Sequence, residues 1–349
     1  MAILTLPGLI DPHVHLRDPG QIQKEDFATG TAAAIAGGFT TVLDMPNNVR
    51  LIDSEELLDE KIEIAKTKIY CDIGFYFGSL GNNIDEFEKI YSKVKGLKLF
   101  LSSTTGGYII DRDRVETVFN AWSKDRMILL HADNDSLDFA LDLAAKTGNA
   151  VHICHVATRN DLEKVIKAKK QGLNVTCGVT PHHLFLTYND LEKLGTFAKV
   201  KPPLATENDQ KFLWENLKSI DMIESDHAPH TLEEKKSENS PYGVPNLETT
   251  LPLLLTAIAN SKITIDEVIR LCHTGPAKRF SINLDTDTNV EIDTDEEYVI
   301  KNKNLKTKCG WSPFEGRKVK GKIKKVFLRG TKVFEDDTIL VEKGFGHVL

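Results

Sequence analysis

Eight short runs rich in apolar, β-branched and aromatic residues alternate with helical patterns from residue 8 to about residue 280. The runs fall at 8–15, 40–45, 70–77, 97–101, 127–131, 150–156, 174–179 and 222–225. Helical periodicity fills the gaps at 24–36, 54–65, 112–122, 136–146, 159–170 and 209–217, with Asp53 and Asp135 as expected N-caps. Strands this short and this apolar are buried on both faces, and strict alternation with helices makes them parallel. The pattern predicts an α/β fold, a TIM-type (β/α)8 barrel over residues 7–284. After residue 280 the character changes. An acidic, turn-rich stretch at 285–297 precedes alternating strands such as 322–328 and 338–341. Residues 285–349, joined by residues 1–6, are expected to form a small β-rich appendage.

With 349 residues, 41% of them hydrophobic, the chain is long enough to bury one large core. The net charge of −7 argues against a nucleic-acid partner and leaves the basic stretch 317–325 as a solvated strand surface. Five scattered cysteines without a C-x-x-C pair fit neither a disulfide framework nor a zinc ribbon. No apolar run approaches the roughly 20 residues that cross a bilayer, and the first residues carry no basic leader. The expected location is the cytoplasm.

The chemistry concentrates at the strand ends. Asp11-Pro12-His13-Val14-His15-Leu16-Arg17 follows the first apolar run. Imidazoles at i and i+2 of a strand share one face and can reach one metal ion, while Arg17 offers a fork for an anion beside it. Active sites of such barrels lie at the C-terminal strand ends. Marking polar residues there adds Asn47, Lys98, His131, His155, Asp226 and His230. His152 and His155, three residues apart, point to opposite faces of a strand, so at most one of them is a ligand. Lys98, within the apolar Leu97-Lys98-Leu99-Phe100-Leu101, is out of place on a central strand. A buried ammonium is costly and cannot ligate a metal.

The chain resembles the cyclic amidohydrolases, and among them the dihydroorotases, especially the dihydroorotase region of the fused animal pyrimidine-synthesis polypeptide. The likeness covers nearly the whole chain. It rests on GLIDPHVHLRDPG at 8–20, KEDFATGTAAAIAGGFT at 24–40, MPN at 45–47, GLKLFL at 96–101 and VHICHVAT at 151–158. PHHLFL at 181–186, SDHAPHTLEEK at 225–235, LETTLPLLLTA at 247–257 and WSPFEGRKVKG at 311–321 complete it. The resemblance implies that Lys98 is carboxylated and bridges two zinc ions. His13, His15 and Asp226 would complete one metal site, and His131 with His155 the other. Asp226 is then the catalytic acid and base in the reversible hydrolysis of dihydroorotate to N-carbamoyl aspartate. Arg17 and Asn47 match residues that grip the substrate carboxylate. His230, Lys201 and the backbone of Tyr242 and Gly243 match further substrate contacts, and Thr104 with Thr105 a mobile lid. His152, His182 and His183 take supporting or packing roles. The family also implies a homodimer and allows association with aspartate transcarbamoylase.

Two positions depart from relatives. Lys201 stands where they carry arginine or asparagine, and Thr105 replaces the phenylalanine of the animal domain, which leaves Tyr108 as a candidate for closing the lid. The rival enzymes, hydantoinase, dihydropyrimidinase and allantoinase, act on rings that usually lack the carboxylate Arg17 and Asn47 would bind. An inactive scaffold homologue, the rival of another class, typically loses metal ligands, and every expected ligand is present here.

Overall fold

The computed structural model describes residues 2–349. Eight strands form one parallel sheet in sequence order: β2 (Leu9–Val14), β3 (Phe39–Asp44), β4 (Asp72–Gly78), β5 (Gly96–Phe100), β6 (Met127–His131), β7 (Val151–Ile153), β8 (Val175–Val179) and β9 (Met222–Ile223). Every run expected from the sequence contributes a strand. All but the first residue of β4 are buried, as helices on the outside and side chains on the inside require. Between the first and last strands the ladder is thin. It consists of a parallel bridge from Val14 to His227 and a 2.8 Å bond from the His15 amide to the His227 carbonyl.

The connecting helices match the expected ones to within three residues at the ends, but their caps differ. Ser54, not Asp53, accepts the Leu57 amide for helix Glu55–Lys66. Asp133, not Asp135, caps Asn134–Thr147, in a box with Ser136. In both cases the extended backbone that a cap needs falls on the residue just outside the first turn.

A second sheet, antiparallel in the order β1 (Ile3–Pro7), β10 (Asn289–Val299), β11 (Lys318–Leu328), β12 (Thr331–Glu335), β13 (Thr338–Ile339), packs beside the barrel. The acidic stretch expected to be turn-rich is strand from Asn289 onward. Its register explains why: Glu291 lies opposite Lys325, Asp293 opposite Lys322 and Glu297 opposite Lys320. Acidic β10 and basic β11 are complementary neighbours.

The tail is not confined to this sheet. Trp311 and Phe314 pack with Leu186, Val200 and Val244 over the barrel mouth, and the Trp311 indole donates to the His230 carbonyl at 2.7 Å. The last residues return to the barrel wall, where Val348 bridges Ile73 in parallel.

Candidate active site

Strand periodicity turns His13 inward from β2, and the chain then bends so that His15 follows on the same side. Asp11 locks this turn: its Oδ1 accepts the amides of His13 and Ser225, each at 3.1 Å, tying the first strand to the end of the last. The result is a cluster of ligand atoms. His15 Nε2 lies 3.1 Å and His13 Nε2 3.4 Å from Asp226 Oδ1. His131 Nδ1 and His155 Nε2 are 3.0 Å apart, and the His13 ring lies 5.2 Å from the rings of both His15 and His155.

Three residues here hold left-handed backbone without being glycine: Arg17 at φ 64°, His155 at 40° and Asp226 at 44°. Such conformations cost about 1–2 kcal/mol each and concentrate where side-chain aim matters more than stability.

Burial sets the charge state. It pushes the His13 imidazole down to about 4 and those of His15, His131 and His155 well below their usual range. All four are neutral at pH 7 and present lone pairs. Burial raises Asp226 despite nearby His13 and Lys98. Lys98 is 1% exposed, and its hydrogen-bond partner among the described residues is the Cys154 thiol at 3.1 Å. That weak acceptor compensates a buried ammonium poorly. Neutral imidazoles and a carboxylate are donors of the kind a metal ion takes, and Lys98, with no carboxylate of its own, stands among them.

Beside these side chains a small pocket of about 30 Å³ is lined by Arg17, Asn47, Thr104, Thr105, Lys201, Tyr242 and Gly243 together with His15 and Asp226. A larger cavity of about 400 Å³, lined by Glu248, Tyr298, Lys306 and Lys322 among others, lies against the β-sheet and contains none of the histidines. The loop expected to act as a lid contributes Thr104 and Thr105 to the pocket lining and is tied to its surroundings. Thr105 Oγ1 donates to the Tyr242 carbonyl at 2.9 Å, and Tyr108 donates to the carbonyls of Asn48 and Val49 at 3.0 and 2.5 Å.

The structure therefore gathers all the candidate residues except His230 around one space. His230 stands behind the pocket wall, with Nε2 at 3.0 Å from the Tyr242 carbonyl. His152, His182 and His183 are occupied elsewhere: His152 contacts Glu224 and Thr176, His182 accepts from Asn246, and His183 faces the Pro202 carbonyl.

Sequence reasoning missed Glu224. Its carboxylate bonds His152, accepts the His155 amide at 2.9 Å and stands 3.3 Å from His13 Nδ1. Burial works to raise its pKa, but His152 and His13 more than offset this and hold it well below the carboxylate range. Glu224, Cys154 and His13 also bring ligand atoms within 4.8 Å of one another. An acid two residues before Asp226, in an apolar run, was the available signal. Also missed was Lys61, which reaches from an outer helix to Asp44 Oδ2 at 2.7 Å, the Met45 carbonyl and Asn48, each of the latter at 2.9 Å. Asp44 in turn accepts the Leu16 amide at 2.8 Å. One buried ion pair thus braces the segments that carry both Arg17 and Asn47.

Residues 4–333 match the model of the amidohydrolase family. The chain is 42% identical over 346 residues to the multifunctional protein CAD of Squalus acanthias, covering 99% of this chain and 15% of that protein. It is 41% identical over 360 residues to the dihydroorotase of Pyrococcus horikoshii, covering 97% of this chain and 82% of that one. Among solved structures, the L-hydantoinase of Arthrobacter aurescens superposes with a TM-score of 0.94 at 24% identity, over 99% of this chain and 88% of that one. The inactive dihydroorotase-like domain of the Chaetomium thermophilum CAD-like protein superposes at 0.86 with 26% identity, over the full length of both. Among the described residues no helix is long and apolar enough to cross a membrane.

Proposed function

The chain belongs to the amidohydrolase family, and from that premise we propose that it is a dihydroorotase, hydrolysing the cyclic amide of dihydroorotate reversibly to N-carbamoyl aspartate in pyrimidine synthesis. The observation that carries the reading is the convergence of Arg17 and Asn47, a carboxylate grip, with Asp226 and His15 in one small pocket beside the histidine cluster. A neutral hydantoin-type ring has no use for a buried guanidinium. The relatives named dihydroorotase support the same substrate.

His13, His15 and Asp226 would hold one zinc ion, His131 and His155 a second, and Lys98, carboxylated, would bridge them. The donor set fits: the imidazoles are neutral, and carboxylation removes an ammonium whose hydrogen-bond partner among the described residues is a thiol. When bound, such a pair of ions supplies polarisation of a carbonyl oxygen and a more acidic water. The remaining work falls to the chain. Asp226, raised by burial, takes the proton of the attacking water and delivers it to the departing ring nitrogen as the carbon–nitrogen bond breaks. Arg17 and Asn47 orient the ring through its carboxylate. Lys201 and the backbone of Tyr242 and Gly243 contact the ring, His230 supports that loop, and Thr104 and Thr105 close over it and exclude water.

The expected division into a barrel of residues 7–284 and an appendage of 1–6 with 285–349, the cytoplasmic location, the homodimer and association with aspartate transcarbamoylase belong to the same proposal. The test is dihydroorotate hydrolysis by purified protein with metal content measured on the same sample. Activity with about two zinc ions per chain supports it. Bound metal without that activity, or an Arg17→Ala variant impaired equally on a neutral ring, overturns the substrate assignment.

A further inference from the structure

His230 can be held in either of two arrangements, and they have opposite consequences for Arg17. Its Nδ1 lies 3.3 Å from Lys24 Nζ and 3.6 Å from Glu234 Oε2. Its Nε2 lies 3.0 Å from the Tyr242 carbonyl and 3.2 Å from the Arg17 terminal nitrogen NH2. An imidazole protonated at Nδ1 would donate to Glu234 and accept from Arg17. Protonated at Nε2, it would accept from Lys24 and donate to Tyr242.

We propose that Lys24 is a positioning residue that fixes the Nε2–H tautomer of His230 and thereby keeps the Arg17 guanidinium free for the substrate carboxylate. Ammonium and guanidinium both have donors only, so Lys24 at Nδ1 and Arg17 at Nε2 each ask for an acceptor. The Tyr242 carbonyl decides, since it can only accept and at 3.0 Å is the nearest of these groups, which puts the proton on Nε2 and leaves Nδ1 to accept from Lys24 at 3.3 Å. The Glu234 oxygen at 3.6 Å is outside hydrogen-bond range and already accepts the Thr231 amide at 3.0 Å. Lys24 is itself held in place. It is 6% exposed and paired with Glu234 Oε1 at 2.8 Å. Burial, with Arg17 and Lys24 nearby, drives the His230 pKa down, so a single proton has to be placed. With that proton on Nε2, His230 gives Arg17 nothing to bind. Arg17 keeps its Nε bond to the Pro229 carbonyl at 3.2 Å, and its outer nitrogens are available. The same proton fixes the Tyr242 carbonyl, which Thr105 of the lid also meets. One lysine therefore acts on both the anion grip and the loop under the lid.

The inference rests on the reading of Arg17 as the carboxylate grip, and the test separates the two. Nitrogen-15 spectra of histidine-labelled protein, with His230 assigned by His230→Gln, report the tautomer without substrate. Wild type is expected to show bare Nδ1 and protonated Nε2. Lys24→Met is expected to move the proton toward Nδ1 and to raise KM for dihydroorotate about tenfold, the effect of one charged hydrogen bond, with kcat and metal content unchanged. Lys24→Arg, which keeps a donor, should restore both readouts. Protonated Nδ1 in wild type, or an unaltered tautomer in Lys24→Met, overturns the proposal. A wild-type protein with the expected tautomer but no activity on dihydroorotate would instead fault the functional reading.

Discussion

Gly178 and Glu224 compete for one volume: a β-carbon on Gly178 would stand 2.2 Å from Cδ of Glu224. The absent side chain on β8 is what admits the buried carboxylate from the neighbouring strand end. Gly178→Ala is therefore expected to expel Glu224 from His152 and the His155 amide and to destabilise by at least about 2 kcal/mol. Metal content should fall as well, because His155 and His13 lose their support. Urea unfolding and zinc analysis of Gly178→Ala and Glu224→Gln check this. The isosteric Gln variant should be milder, since it retains hydrogen-bonding capacity in the same space.

Lys61 and Asp44 are each 1% exposed. Removing one partner leaves a buried charge uncompensated, so Lys61→Met should cost about 3–5 kcal/mol, whereas the Lys61→Met/Asp44→Leu pair should recover part of it. Because the ion pair braces the segments carrying Arg17 and Asn47, KM of the single variant should rise more than kcat falls. Equal loss in both would contradict the bracing role.

Asp11 gives a pH signature. Burial raises its carboxyl to about 7, although Ser225 and the His13 amide pull the other way. Unfolded, it ionises near the ordinary aspartate value of 3.8. Between those values the folded chain holds a proton that the unfolded chain has released. Stability from this group therefore declines as pH rises from about 4 to about 7, and the full cost is present above 7. Asp11→Asn, which stays neutral, should gain on wild type across that window in thermal melts of metal-free protein. A constant difference between the two would refute the assignment.

The loop proposed as a lid is tied at two points, by Thr105 to Tyr242 and by Tyr108 to Asn48 and Val49. Tyr108→Phe removes one tie without touching the pocket. Losing a neutral hydrogen bond of about 1 kcal/mol should raise KM several-fold. Faster proteolysis within residues 102–110 should accompany it, and an unchanged cleavage rate would show that the tie does not hold the lid.

Much of this arrangement was legible in the chain. The barrel was readable because a strand buried on both faces must be continuously apolar, and His13, His15, His131 and His155 stood out as polar interruptions at the ends of such strands. Lys98 stood out for the same reason. Glu224 escaped because β9 is only two residues long and an acid just past it looks like the start of a loop. Lys24 and Lys61 escaped because a lysine on a helical pattern is ordinarily solvated, and only tertiary packing places these two behind the pocket. The strand character of the acidic stretch was invisible without its basic partner, since Asp and Glu are depleted in strands unless a neighbour offsets their charge.

The single bridge from Val14 to His227 has a mechanical meaning. His13 and His15 stand on one side of that junction and Asp226 on the other, 211 residues after His15. An ion shared by the three would rivet the ends of an otherwise nearly open sheet into a ring, and would do so only after residue 226 had arrived. Chelation would then release a hoop as well as disarm a catalyst, and the amides of Val14 and His15 would be among the first in the barrel to exchange with solvent.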